Sequence, residues 1–380
     1  MQKGGISMIT RLAVSNFKAM ANFELKNMSR LTCLIGLNGA GKTTFLQLLD
    51  FIGHLMRGES QIRQWAASEL LTLGSNSRII SLSVSLELST GKNVCWSGAF
   101  NVDKKRFREE SVQDEKTEDT LLTAKDGILK VLGEESYQYS NYNFQGSILS
   151  AFHFKNSEIE EIKSELSQLQ SLELLSPSNL RRPSQSGDSL GPGGEGLPGF
   201  LSRLSNEQSR DLLEAVQYFY GKVDAIQVKS RKFGWKNLLI QEYAKNIVAD
   251  HINDGFLRVL AILSQRYAKG KVLLFDEIEN GLNQELIGKL VDTLLHFNNK
   301  QVIVTTHSAL VLNYIPDDIA KDAVVLLYRD QNGFTHAQKF FSIPDLKEQL
   351  EFMGPGQIMS QTDLIALAAR LVENEIVPEK

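Results

Sequence analysis

Residues 36–44 read GLNGAGKTT, in which Gly36, Gly41, Lys42 and Thr43 satisfy the spacing G-x-x-x-x-G-K-[ST]. That spacing builds a phosphate cradle. Glycines at 36, 39 and 41 let the backbone turn its N–H groups inward, so that Asn38, Gly39 and Thr44 join them around phosphate oxygens at a helix start. Lys42 then reaches the β- and γ-phosphates of ATP, and Thr43 offers a hydroxyl ligand to Mg²⁺. A second constellation, KVLLFDEIENGL at 271–282, ends an apolar run in Asp276 and Glu277. Open α/β sheets place their ligands at such strand ends. Asp276 is expected to hold the Mg²⁺ through water, and Glu277 to polarise the attacking water as general base. Acidic pairs commonly end strands, so this signal draws its force from the phosphate loop beside it. A third stretch, QVIVTTHS at 301–308, is another apolar strand, and it ends in His307. If it lies beside the Asp276 strand, His307 comes within reach of a γ-phosphate. Finally, INDGFLRVLAIL at 252–263 puts Gly255 ahead of an amphipathic helix just before the acidic strand, where a role beyond capping is expected.

These residues need elements to hold them. Residues 8–35 alternate apolar and polar positions and predict two or three strands, the last being the buried run LTCLI. Residues 42–57 follow with Phe45, Leu48, Leu49, Ile52 and Leu55 at helical spacing. Strand, Gly-rich turn and helix is the order a phosphate loop requires. Between the second and third stretches, QELIGKLVDTLLHF predicts the helix of a right-handed βαβ crossover. Residues 78–102 predict a hairpin turned at STGK, and the mixed-sign stretch 103–119 a solvated loop or hairpin. Residues 157–172 predict one amphipathic helix behind a Ser-x-x-Glu cap at Ser157 and Glu160. The Gly- and Pro-rich run 176–199 reads as loop or partly disordered linker, followed by a helix behind Ser205 and by strands around a turn at Gly234. The expected class is α/β: a core sheet carrying the phosphate loop at 1–100 and 225–345, an antiparallel β lobe, an inserted helical and loop segment at 101–224, and a helical tail at 346–380.

The 380 residues carry a net charge of −4, so no global electrostatic footprint for nucleic acid exists. Any such binding falls to a local patch, and Lys229, Arg231, Lys232 and Lys236 around Trp235 form one. No apolar run reaches the roughly 18 residues of a membrane span. The N-terminal residues lack the apolar core of a secretory signal, and the two cysteines, Cys33 and Cys95, read as packing residues. A soluble protein in the reducing cytoplasm, without membrane partners, is the expectation.

Together the motifs resemble the ABC-type ATPases of the RecF, SMC and OLD kind, and most closely the stand-alone ATPases found with bacterial phage-defence genes, such as those of Septu and of retrons. VSNFKAMANFEL…LTCLIGLNGAGKTT is similar to that family's opening strands and Walker A, LLFDEIENGLN to its Walker B and D-loop, and VIVTTHSALVL to its switch-histidine segment. INDGFLRVLAIL stands where the family signature Ser-Asp-Gly-Thr-x-Arg would be, so Asp254, Gly255 and Arg258 match while Asn253 replaces the serine and Phe256 the threonine. An Asn amide can still donate to a phosphate. The resemblance implies that the signature of one subunit closes over the Walker A nucleotide of another, which makes the working unit a homodimer or higher homo-oligomer. It further implies a glutamine on the Mg²⁺, for which Gln145 is the candidate, and allows Arg57 to meet DNA as comparable arginines do in SMC heads, against the plainer reading of a solvated helix end.

The family's nuclease members continue into an acidic metal-binding module, and residues 308–380 show no Asp-x-Asp and no second acidic cluster at metal spacing. The expected role is therefore a regulatory ATPase that assembles with a separate effector, a nuclease or toxin, in antiviral defence. A DNA-repair or chromosome-associated ATPase is the alternative, and an ABC transporter subunit fits the eccentric signature poorly.

Overall fold

The computed structural model describes residues 6–58, 66–140 and 142–376. Strands β1 (Met8–Phe17) and β2 (Met20–Leu25) form a hairpin, and β3 (Leu31–Ile35) runs into helix α1 (Lys42–Arg57). Every residue of β3 is buried, as a central strand covered on both faces requires. After α1 come β4 (Ile79–Glu87), β5 (Asn93–Asn101), β6 (Arg106–Asp114), β7 (Thr120–Lys125), β8 (Ile128–Val131) and β9 (Tyr137–Gln138). With β1 and β2 they make one eight-stranded antiparallel sheet, ordered β2-β1-β4-β5-β6-β7-β8-β9. The boundary expected at 100/101 therefore falls within β5 of this sheet, whose register pairs Phe100 with Phe107 and Asn101 with Arg106 of β6. The charged stretch belongs to it too, because β6 turns Phe107, Glu110, Val112 and Asp114 inward while its other charges face water.

Helix α2 (Ser157–Ser167) packs on α1, and its cap is Asn156, whose side chain accepts from the N–H groups of Glu158 and Ile159, rather than Ser157. The Gly- and Pro-rich run is packed, not a free linker: Leu180, Leu190 and Leu197 sit in the main core. Helix α3 (Asn206–Phe219) leads into a small antiparallel sheet of β11 (Val223–Ser230), β12 (Lys236–Glu242) and β13 (Lys245–Val248).

The core sheet adds the two-residue β10 (Ser171–Leu172), β14 (Val272–Phe275), β15 (Gln301–Thr305), β16 (Val324–Arg329) and β17 (Thr335–Lys339), in the order β10-β14-β15-β3-β16-β17. All its pairings are parallel except that of β16 with β17. One face packs on α1 and the antiparallel sheet, where Phe51 meets Phe17 and Phe100 at ring distances of 5.5 and 5.4 Å. The other face packs on α4 (Asp254–Ser264) and α5 (Gln284–Leu295). Leu346, Ile358, Leu367 and Val372 of the expected C-terminal tail belong to this second core, the last two from α6 (Leu364–Ile376).

Candidate functional site

Because β15 lies between β3 and β14, the parallel order brings the phosphate loop, the Asp276 strand end and the His307 strand end to one edge of the sheet. Gly36 adopts φ 144°, and a Cβ there would stand 2.3 Å from the Leu327 carbonyl oxygen of β16. Gly41 adopts φ 110°, with the Thr335 side chain filling the space a Cβ would need. Both are positions only glycine takes without strain. Thr335 also donates to the Ala40 carbonyl at 3.1 Å, so β17 braces the loop from the side. Asn38 and Gly39 face outward on the rim, Thr43 is exposed and Thr44 half-buried.

Lys42 is buried and folds back on its loop, donating to the Gly36 and Leu37 carbonyls at 2.8 and 3.1 Å. Burial lowers its pKa, and the nearby carboxylates of Asp276, Glu277 and Glu279 hold the charge in place against that cost. Thr43 Oγ1 donates to Asp276 Oδ2 at 3.1 Å, while Thr305 Oγ1 donates to Asp276 Oδ1. A hydroxyl and a carboxylate meeting this closely are hard oxygen donors of the kind Mg²⁺ takes, so the residues present fit that ion.

Glu277 adopts φ 46°, a left-handed conformation that costs a residue with a Cβ about 1–2 kcal/mol. Three contacts hold it: its N–H donates to Thr305 Oγ1 at 2.8 Å, its carbonyl accepts from Arg258, and Asn280 donates to its carboxylate at 3.2 Å. His307 Nε2 stands 3.9 Å from Glu277 Oε1, and the His307 N–H donates to Glu279 at 2.8 Å. The structure thus brings Lys42, Thr43, Asp276, Glu277 and His307 together.

It does not bring Asn253, Asp254, Gly255 or Gln145 to that group within one chain. Asn253 caps α4, its side-chain oxygen accepting from the Phe256 N–H at 3.2 Å, and Asp254 is ion-paired with Arg181. A Cβ on Gly255 would come within 3.3 Å of the Gly281 carbonyl, which sets this turn beside the loop after Glu277. Among the described residues, no hydrogen bond joins Asn253–Gly255 to the phosphate loop of the same chain. Gln145 lies at the far end of α1, where Ser147 donates to Leu55 at 3.0 Å. The sixteen residues of α1 span roughly 24 Å, so the structure does not place Gln145 beside Thr43. Arg57 is spent on the Ser167 and Leu169 carbonyls at 2.6 and 3.0 Å, tying α1 to the end of α2.

Three contributors escaped sequence reasoning. Thr305, in the quoted TTHS, links Asp276 to Glu277. Glu173 follows β10, whose Leu172 carbonyl accepts from the Asp276 N–H at 3.1 Å; burial, then Asp276, Asp50 and Glu277, push its carboxyl up. Arg258, noted only as a motif match, is buried and joins Leu174 at 2.9 Å to the Glu277 carbonyl. Burial lowers its pKa to about 10 despite Glu279, Glu277 and Asp276 nearby.

Comparison with known proteins agrees with this geometry. Residues 31–313 match the family described as "AAA domain, putative AbiEii toxin, Type IV TA system". Among solved structures, an Smc head bound to the C-winged helix domain of ScpA is 13% identical, covering 87% of this chain and 96% of its own, with a TM-score of 0.55. An Smc head with an extended coiled coil, bound to a C-terminal domain of ScpA derived from Pyrococcus furiosus, is 12% identical, covering 91% and 100%, with a TM-score of 0.52. At such identities the likeness shows the fold. No curated protein sequence matches the chain. Among the described residues, no helix is long and apolar enough to cross a membrane. A phosphate loop on a core sheet of this order, a fold shared with Smc heads, and a family match over residues 31–313 lead to one statement: the chain belongs to this AAA family and is a P-loop ATPase with an ABC-type head.

Proposed function

We propose that the chain is a Mg²⁺-dependent ATPase that closes head to tail on a second copy around ATP, and through that closure regulates or assembles with a separate effector, a nuclease or toxin, in bacterial antiviral defence in the cytoplasm. The observation that carries the dimer is the position of Asn253–Gly255. This helix start belongs beside Gly281, not over its own phosphate loop, so its outward face is available to a neighbouring subunit. Asn253 uses its oxygen as a cap and keeps its amide N–H groups for a phosphate.

Within each site Gly36, Asn38, Gly39, Gly41, Lys42 and Thr44 grip the phosphates, and Thr43 with Asp276 holds the metal. Mg²⁺, when bound, neutralises charge on the phosphate oxygens. Glu277 takes the proton of the attacking water, and His307, 3.9 Å away, senses the γ-phosphate end of the site. The partner part of this reading is supported by the Smc heads, which are bound to a domain of ScpA, and the defence part by the matched family's description, "putative AbiEii toxin, Type IV TA system". A DNA-repair or chromosome-associated role draws on the same fold, and a likeness in fold alone does not favour it.

Glu277→Gln keeps the hydrogen-bonding shape of the side chain while removing the base. With ATP and Mg²⁺ the variant should run as a stable dimer in light scattering and turn over at least about a hundredfold more slowly. Parental turnover in this variant would assign the base elsewhere, and a strictly monomeric species would sink the dimer.

A further inference from the structure

The hairpin of β11 and β12 stands apart from the nucleotide site and carries features that the ATPase reading leaves unused. At its tip Phe233 is 88% exposed and sits at φ 60°, a left-handed position where glycine is favoured over an aromatic residue. Trp235, two residues on, is 43% exposed. The ladder closes just behind them, with the Arg231 N–H donating to the Trp235 carbonyl at 2.7 Å. A shallow, open hollow lies here, lined by Pro183, Arg231, Lys232 and Trp235. Arg182, Lys229, Arg231 and Lys232 are exposed, and among the described residues none of them has an ion pair. A chain of net charge −4 thus concentrates unneutralised cations around two exposed rings.

We infer that this hairpin binds single-stranded nucleic acid. A planar base fits against Trp235 and Pro183, while Phe233 offers a second ring to the next base. The unpaired Arg and Lys side chains meet the phosphates on either side. Duplex nucleic acid fits less well, because its bases are stacked inside and cannot reach a ring at a loop tip. An anionic membrane fits less well again, since the rings stand among cations rather than on an amphipathic helix face.

The site is also joined to the signature turn. Ser184 exchanges both main-chain hydrogen bonds with Lys236, the residue after Trp235 at the tip end of the hairpin, at 3.1 and 2.8 Å. Three residues earlier, Arg181 donates to the Ala249 and Ile252 carbonyls at 3.1 and 2.6 Å and pairs with Asp254. A strand held between Pro183 and Trp235 therefore bears on the helix start that the proposed dimer uses, and this coupling, unlike the binding itself, rests on the function proposed above.

The test is fluorescence anisotropy with the full chain and labelled oligothymidine or oligouridine of about 20 nucleotides. Affinity should fall with salt at a log–log slope of roughly −2 to −3, as three or four phosphate contacts on a single strand demand. Phe233→Ala with Trp235→Ala should weaken binding at least about tenfold, while Arg231→Glu with Lys232→Glu should flatten the salt slope. The two oligonucleotides distinguish DNA from RNA as the natural strand. Lys42→Ala should leave nucleotide-free oligonucleotide binding unchanged, so loss of the ATP-dependent dimer and loss of this site are separable results. No binding at about 50 mM salt, equal affinity for a duplex of the same length, indifference to both ring substitutions, or retention on anionic vesicles without oligonucleotide binding would each overturn the assignment.

Discussion

Thr305 shows how one small side chain can set two charged ones. Its hydroxyl gives its proton to Asp276 and accepts the N–H of Glu277, the residue held at φ 46°. Thr305→Val keeps the shape and strips both bonds, leaving a buried carboxylate oxygen and a main-chain N–H short of a partner. Hydrogen bonds to charged groups are worth about 1.5–3 kcal/mol, so the variant should lose that much stability. The sharper expectation is kinetic: kcat should drop at least tenfold, by about 1.4 kcal/mol of transition-state stabilisation, while nucleotide affinity, governed by Lys42 and the glycine loop, stays near the parental value. Steady-state turnover beside equilibrium nucleotide titration separates the two, and an affinity loss as large as the rate loss would show that Thr305 shapes the phosphate cradle instead.

At the scale of elements, Glu110 on β6 is the buried acid that ties the antiparallel sheet to the segment at the end of α1. Ser147 Oγ and Trp96 Nε1 donate to one oxygen at 2.5 and 3.0 Å, and the Ile148 N–H to the other at 2.6 Å. Burial nevertheless pushes its carboxyl up from 4.5 to about 7 against those three donors. An acid raised in this way holds its proton better folded than unfolded, so its contribution is full below pH 4.5 and is lost as pH rises to about 7. Glu110→Gln cannot titrate. Its stability relative to the parent should therefore improve across that window, by at most about 3 kcal/mol, on top of a constant loss at the Ile148 N–H. Denaturant melts at a series of pH values read this directly, and a flat difference would mean an ordinary, ionised carboxylate. The same element marks where sequence reading stops. Gly36, Lys42 and Asp276 were legible because a turn, a helix start and a buried strand each leave a local pattern. The burial of β6 was not, since the stretch reads as a solvated loop or hairpin, and nothing in it marks Glu110 as facing inward. Glu173 follows a two-residue strand, too short for any period, and Gln145 was misplaced because adjacency across two sheets depends on a helix length between them rather than on residue type.

For the whole molecule the decisive question is which chains build one site. If Lys42 acts within its own subunit and Asn253 in the neighbour's site, a mixed dimer of two defective variants regains one whole site. Lys42→Ala removes the phosphate grip and should abolish nucleotide binding. Asn253→Asp keeps the cap on α4, because aspartate accepts from the Phe256 N–H as well as asparagine does, yet places a negative charge where a phosphate would dock. Each variant alone should be inactive as a dimer. Mixed in equal amounts, half of the dimers pair one of each, and every such dimer carries one intact and one doubly defective site. Turnover should then recover to about a quarter of the parental value if sites fire independently, with ATP-dependent association of two differently tagged variants as a readout that needs no hydrolysis. A mixture that neither associates nor turns over would place both residues in a site made by one chain, and the outward face of Asn253 would need another occupant.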